Sequence, residues 1–271
     1  MKEKFKRFES DSEQVLPEGL PVIARIDGNC FSNLTEKYFK KPFDEEFEQL
    51  MNQSARGAME YCSPSTLAYI QSDEISLLIP PSYTFDKESR FLAGRTQKLA
   101  SLLAGHASGR FTSEFERDPV AFDARVFAIP EHEIINYFCH RQRDAWNNCL
   151  HSTAFYEIAK KHNRDFAHDR LQGLNNSEKQ ELLFSEFGIN PNDIPTHRKR
   201  GRCLKRVSRT HDIEDWIDNE EKFNQLIENG YINPDQQVER SHIELDEELP
   251  IFRKNRRYID HTWQEPIPQV A

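Results

Sequence analysis

Two short acidic motifs hold the residues best suited to chemistry. Residues 20–26, Leu-Pro-Val-Ile-Ala-Arg-Ile, form an apolar, β-branched run that stops at Asp27-Gly28, so a carboxylate stands at the end of a buried strand. Residues 67–70 and 75–79 are two more β-prone runs. Between them, Gln71-Ser72-Asp73-Glu74 has the length and polarity of a tight hairpin connection, with Asp73 and Glu74 at its tip. Carboxylates held close repel unless a cation neutralises them, and hard oxygen ligands of this kind suit Mg²⁺, which keeps waters and phosphate oxygens as its other ligands. Asp27, Asp73 and Glu74 are therefore the candidate catalytic set for two-metal phosphoryl transfer. Taken singly, each motif also reads as an ordinary strand-ending turn or a solvated loop tip. After Asp27 the chain runs Gly28-Asn29-Cys30-Phe31-Ser32, which lets backbone N–H groups approach a triphosphate although it lacks the Walker spacing. Lys40 or Lys41 supplies a candidate cation, as do Arg95 and Lys98, three apart and so on one helix face. Each of these also reads as an exposed surface residue.

Those motifs need elements to hold them. Phe43, Phe47, Leu50, Met51, Ala55, Ala58 and Met59 recur at helical spacing, which predicts a core-facing helix over 43–61, with Pro42 suited to its start. Phe91, Leu92, Leu99, Leu102 and Leu103 predict a second helix over 90–107, and 121–129 reads as a strand. The order strand, helix, strand, strand, helix, strand is the ferredoxin-like split βαβ arrangement, an α+β fold with an antiparallel sheet against two helices. In that arrangement the first strand lies beside the central hairpin, so Asp27 and the hairpin tip share one edge. Helices over 131–161 and 178–187, the latter closed by Gly188, make the next part mainly helical. A short helix over 213–229 precedes a proline-punctuated tail.

Composition narrows the class. With 271 residues, 37% of them hydrophobic, and 19 Phe, the chain can build a core without disulfides or a structural metal. The five cysteines are odd in number and never form C-x-x-C, so free thiols are expected and structural zinc is not. No apolar run nears the roughly 20 residues of a membrane span, and the basic start lacks an apolar stretch, so a cytoplasmic protein without membrane association is expected. Net charge is −9, but thirteen acidic and two basic residues lie between Asp212 and Glu248. Elsewhere, Arg198 to Arg209 holds seven Lys or Arg and no acid. Such a run docks phosphates or is a solvated linker.

The segments ARIDGNCFSNL, FKKPFD, YIQSDEISLLI, GRTQKLASLLA, FDARVF, WNN, LQGLNNSEKQELLFSEFGIN and HRKRG follow one another over roughly residues 22–201. Together they resemble the tRNA-His guanylyltransferase family and its relatives that extend RNA in the 3′-to-5′ direction. The resemblance implies a palm-like catalytic domain over 1–130, a helical region for tRNA binding or oligomerisation over 131–211, and an acidic extension over 212–271. It implies metal-dependent, template-guided addition of nucleotides to tRNA 5′ ends, either guanylate on tRNA-His or 5′ repair of truncated tRNAs. GTP and ATP would be the substrates, Mg²⁺ (two ions) the cofactor, and a homotetramer the assembly. By the same resemblance Asp27, Asp73 and the Gly28 carbonyl are the metal ligands, and Glu74 assists. Gly28, Asn29, Cys30, Phe31, Ser32 and Ser72 line the nucleotide, with Lys41, Asp44, Arg95, Lys98 and Arg125 around it. Asn147, Asn148, Arg198, Lys199 and Arg200 are the tRNA contacts, although the asparagines also read as solvent-facing. Trp146 reads as core or interface ahead of base stacking. The family's H-I-N-N is Ala145-Trp146-Asn147-Asn148 in this chain, so its histidine is missing and selectivity for tRNA-His is not implied. A palm-type nucleotide cyclase would use a similar carboxylate pair. A catalytically silent tRNA-binding module would lack one of the two aspartates, and both are present.

Overall fold

In a computed structural model, which describes residues 13–81, 91–213, 219–233, 235 and 237–264, the strands are β1 (Val22–Gly28), β2 (Leu67–Gln71), β3 (Glu74–Ile79), β4 (Phe122–Ala128), β5 (Arg202–Asp212) and β6 (Gln237–Asp246). They pair antiparallel in the order β4-β1-β3-β2-β5-β6. The helices are α1 (Phe31–Tyr38), α2 (Glu45–Tyr61), α3 (Thr96–Phe115), α4 (Ile134–Lys161), α5 (Arg164–Leu171), α6 (Asn176–Phe187), α7 (Thr196–Arg200), α8 (Glu220–Glu228) and α9 (Arg257–Gln264). Strands β1 to β4 with α2 and α3 are the expected ferredoxin-like unit. Among the described residues no helix is long and apolar enough to cross a membrane.

Alternation along the strands divides the core. Ala24, Ile26, Ile75 and Leu77 face α2 and α3, where they meet Met51, Ala55, Leu103 and Phe111. Ile23, Tyr69 and Leu78 face the opposite way and are covered by Ile134 and Phe138 of α4, with Leu249 and Phe252 from the segment after β6. Beyond the sheet, Leu150, Phe155 and Ile158 of α4 pack on Ala167 of α5 and Leu183 of α6.

Four differences from the sequence reading have local causes. Leu92 and Ala93 adopt positive φ, so the second palm helix begins at Thr96, and its stripe continues through Phe111 and Phe115. A helix also follows Asp27 directly, since Cys30 turns the chain at φ 60 into α1. Asn163 caps α5 by accepting from the Phe166 N–H. The largest difference is that residues 202–212 form a strand beside β2. Lys and Arg in that strand mask its alternation, yet Cys203 and Leu204 are buried in it, and acidic β6 neutralises it through Lys205–Asp246 at 2.9 Å and an Arg209–Glu244 ion pair.

Candidate functional site

The strand register draws a row of polar side chains across the sheet. Gln71 faces Glu74, Glu74 faces Asp27, and Asp27 faces Asp123. All four lie on the α4 side, and the next row inward on that side is Tyr69, Ser76, Arg25 and Arg125. Asp73 joins from the turn, where its carbonyl accepts from the Gly28 N–H at 3.0 Å. This turn has only Ser72 and Asp73 between paired residues, and Ser72 takes the positive φ (49°) that a two-residue hairpin demands.

Burial and repulsion from Asp73, Glu74 and Asp123 raise the Asp27 carboxyl above its ordinary value, against the pull of Arg25. Carboxylates crowded until one resists ionising are short of positive charge, and with oxygen as the donor throughout they fit a hard divalent cation such as Mg²⁺. Asp27, Asp73 and the Gly28 carbonyl would hold it. Among the described residues no group of three or more His, Cys, Asp or Glu is placed to hold a metal ion, and Mg²⁺ is commonly held by one or two carboxylates with waters and phosphate oxygens.

Glu74 corrects the sequence reading. It begins β3 rather than sharing the tip with Asp73, and both its oxygens accept from Arg141 of α4, at 3.2 and 3.0 Å. Glu74 and Arg141 side chains are each 12% exposed, so this pair clamps α4 over the sheet, beside a 2.8 Å hydrogen bond between Ser76 and Tyr137.

Directly after Asp27, α1 starts without a side-chain cap, which leaves its first N–H groups without intrahelical partners and its positive end beside the carboxylates. Gly28 permits this turn because a Cβ there would lie 2.4 Å from the Phe31 ring. That ring is buried against Phe111 and Phe122.

A cleft of about 190 Å³ opens alongside, between Thr35, the 40–44 loop, Glu48, Ser72, α4 and α7. Lys41 donates to the Thr35 hydroxyl at 2.6 Å, and burial holds its ammonium below the ordinary range although Glu36 and Asp73 oppose this. Burial alone would raise the Asp44 carboxyl, but N–H groups of Lys40, Phe47 and Glu46 hold it below its usual value. Arg198 donates to Glu48 at 2.8 Å, and His197 lies 3.4 Å from the same carboxylate. Deeper in the wall, Arg202 is 4% exposed and bonded to the Asn52 side-chain oxygen at 2.7 Å. Glu48 is thus outnumbered, and the cleft suits a polyphosphate. The Gln71 side-chain oxygen is buried in the same wall with no hydrogen-bond partner among the described residues.

Other expected residues go elsewhere. Arg95 stands at the N-terminal end of α3 and pairs with Glu13 at 3.0 Å. It is the later part of α3 that reaches the Asp27 edge, where the Ser108 hydroxyl accepts from the N–H of Phe122, the residue facing Gly28. The helix rises about 20 Å between Arg95 and Ser108, so Arg95 and Lys98 do not join Asp27 within this chain. Arg125 does, in the row behind Asp123. Asn147 is engaged internally, its oxygen accepting from Asn176 at 2.6 Å, whereas Asn148 lines the first cleft. The basic run divides: Arg198 lines this cleft, and Lys199 and Arg200 line a second one. Gln71, Asp123, Glu48 and Arg141 were missed in the sequence, and Arg202 was read only as part of the basic run. Only the two-residue period of the strands pointed to Gln71 and Asp123.

Comparison with known proteins gives the family. Residues 2–130 match the family model described as tRNAHis guanylyltransferase, and residues 132–259 match that of the Thg1 C-terminal domain. A probable tRNA(His) guanylyltransferase of Drosophila melanogaster is 34% identical over 75% of this chain and 72% of that protein. The tRNA(His) guanylyltransferase of Schizosaccharomyces pombe is 33% identical over 82% of this chain and 85% of its own. A bacterial tRNA(His) guanylyltransferase-like protein solved in complex with ATP is similar at a TM-score of 0.75 and 29% identity, over 97% of this chain and 99% of that one. One solved in complex with GTP gives 0.69 at 27% identity, over 96% and 97%. A palm-like sheet with paired aspartates at its edge, matched by family models along nearly its whole length, places the chain in the tRNA-His guanylyltransferase family of nucleotidyltransferases.

Proposed function

We propose that this chain adds nucleotides to the 5′ end of tRNA in the 3′-to-5′ direction, as guanylate on tRNA-His or as repair of truncated 5′ ends, and that it works as a homotetramer in the cytoplasm. The observation that carries the reading is the meeting at one sheet edge of Asp27 and Asp73, the uncapped start of α1 and the cationic cleft. Asp27, Asp73 and the Gly28 carbonyl would hold two Mg²⁺. When bound, such ions lower the pKa of the attacking hydroxyl and neutralise the phosphates. The chain's own residues do the positioning. The first N–H groups of α1 receive phosphate oxygens, Lys41 and Arg198 hold a triphosphate in the cleft, and the Arg141–Glu74 clamp keeps α4 in place above both. Relatives solved with ATP and with GTP support nucleoside triphosphates as substrates, and the names of the curated relatives support tRNA-His.

Labelled GTP or ATP is incubated with tRNA-His lacking its extra 5′ guanosine, and with other tRNAs lacking a 5′ nucleotide. Label in the tRNA is expected, lost in Asp27→Ala while tRNA binding persists. Label confined to a small cyclic product would replace this reading with a nucleotide cyclase.

A further inference from the structure

A second cleft, of about 310 Å³, lies beyond α7 from the first. It is lined by Arg143 and Trp146 of α4, Lys199 and Arg200 of α7, and Ile251 and Arg253 from the segment after β6. None of its lining residues is acidic. Among the described residues none of its four cations is ion-paired; Lys199 and Arg200 donate to the carbonyls of Asn192 and Leu249 instead, at 2.5 and 2.9 Å. Cys139 at the edge is raised chiefly by burial, and the charges that oppose this are Arg256, Arg143 and Arg253, a further sign that guanidiniums converge there. In a chain of net charge −9, unpaired cations gathered on one concavity make a local field for anions. Trp146 adds a second chemistry. It packs against the Leu150 and Leu183 cluster and also lines the cleft, so it presents a rigid aromatic surface among the cations rather than filling the core.

We propose that this cleft binds one unpaired nucleotide of the RNA substrate, with its base stacked on Trp146 and the adjoining phosphates held by Arg143, Arg253, Lys199 and Arg200. The inference rests on the reading of the substrate as RNA. An aromatic platform set among cations is the composition of single-strand sites. A duplex would engage the cations and leave the indole idle, and a cavity at the small end of the roughly 300–1,000 Å³ range of ligand pockets admits a base but not a helix.

The test is anisotropy binding of a labelled single-stranded RNA about ten nucleotides long, inside the roughly 4–16 nucleotide span of such sites. Trp146→Ala is expected to weaken binding roughly tenfold or more, and Trp146→Phe to retain most of it. Arg143→Ala with Arg253→Ala is expected to weaken binding and to reduce the log–log salt slope by about 1.4, for two phosphates at about 0.7 each. Retained ATP affinity in each variant shows that the first cleft is still folded. Wild-type RNA affinity in both Trp146→Ala and the double arginine variant would overturn the proposal. So would displacement of the RNA by a free nucleoside monophosphate at an affinity matching the RNA's own, which would make the cleft a mononucleotide site. The two readings fail separately. RNA binding that responds to these variants without nucleotide addition would end the reading of the reaction, whereas addition with an unchanged KM for tRNA in the variants would end this one.

Discussion

Asp27 sits where negative charge outruns its neutralisation. Its carboxyl is raised by burial and by Asp73, Glu74 and Asp123, so the folded chain binds that proton more tightly than the unfolded chain does. The stability this provides is complete below the ordinary value of 3.8 and is lost as pH rises through the raised one. Asp27→Asn should therefore raise the melting temperature of the metal-free protein at neutral pH, with the gain fading towards pH 3.8. Calorimetry across that range checks this, and equal midpoints at pH 7 would contradict it. The same substitution should cut nucleotide addition by more than about 100-fold, since even groups that merely support a metal ligand are worth about 10–100-fold. Glu74 behaves oppositely because Arg141 already satisfies it. Glu74→Ala takes from the Arg141 guanidinium one of its two carboxylate partners, with Asp144 remaining at 2.7 Å, and should cost about 1–3 kcal/mol, whereas Glu74→Ala with Arg141→Met should cost less than Glu74→Ala alone. Denaturant unfolding of the single and double variants reads that difference. Asp27 and Asp73 were legible in the sequence because the end of a strand and the tip of a hairpin are local features. Arg141 was not, because its partner lies 67 residues away.

At the scale of elements, two close approaches hold the site together. Gly28 turns over the Phe31 ring to start α1. Gly201, at φ +78, lets the chain leave α7 against β2, where a Cβ would come within 2.6 Å of the Tyr69 hydroxyl and 2.7 Å of the Ile70 carbonyl. Gly201→Ala should destabilise by about 1–3 kcal/mol, because the conformation and the backbone contact both resist a side chain. Gly28→Ala should also destabilise, but Phe31→Leu in the same chain should recover part of the loss, since there the obstacle is a ring. Thermal melts of the variants check both. The palm helices and β1 to β4 were readable from apolar periodicity, which local sequence carries. Strand β5 was hidden because Lys205, Arg206 and Arg209 find their partners on other elements. Arg206, for instance, donates to the carbonyls of Ser65 and Met59 at 2.8 and 2.6 Å.

Across the whole molecule, the basic run does not form one patch. Lys205 and Arg209 are neutralised by β6, Arg198 faces the first cleft, and Lys199 and Arg200 face the second. Arg198→Ala should therefore raise KM for the activating nucleotide, while Lys199→Ala with Arg200→Ala should raise KM for tRNA and flatten its salt dependence. Steady-state kinetics with each substrate varied in turn would show the split, and identical profiles would count against it. The acidic segment is in part the counter-charge of β5. The order of β1 to β4 and the two palm helices, and the aspartates placed at the strand ends, were determined by the sequence alone, because alternation, helical spacing and turn chemistry act over a few residues. Which cation meets which carboxylate was decided only by the tertiary structure. Arg198 and Glu48 are 150 residues apart, and no pattern within either segment names the other. Charge pairing depends on distance in space, which the packed sheet and α4 set.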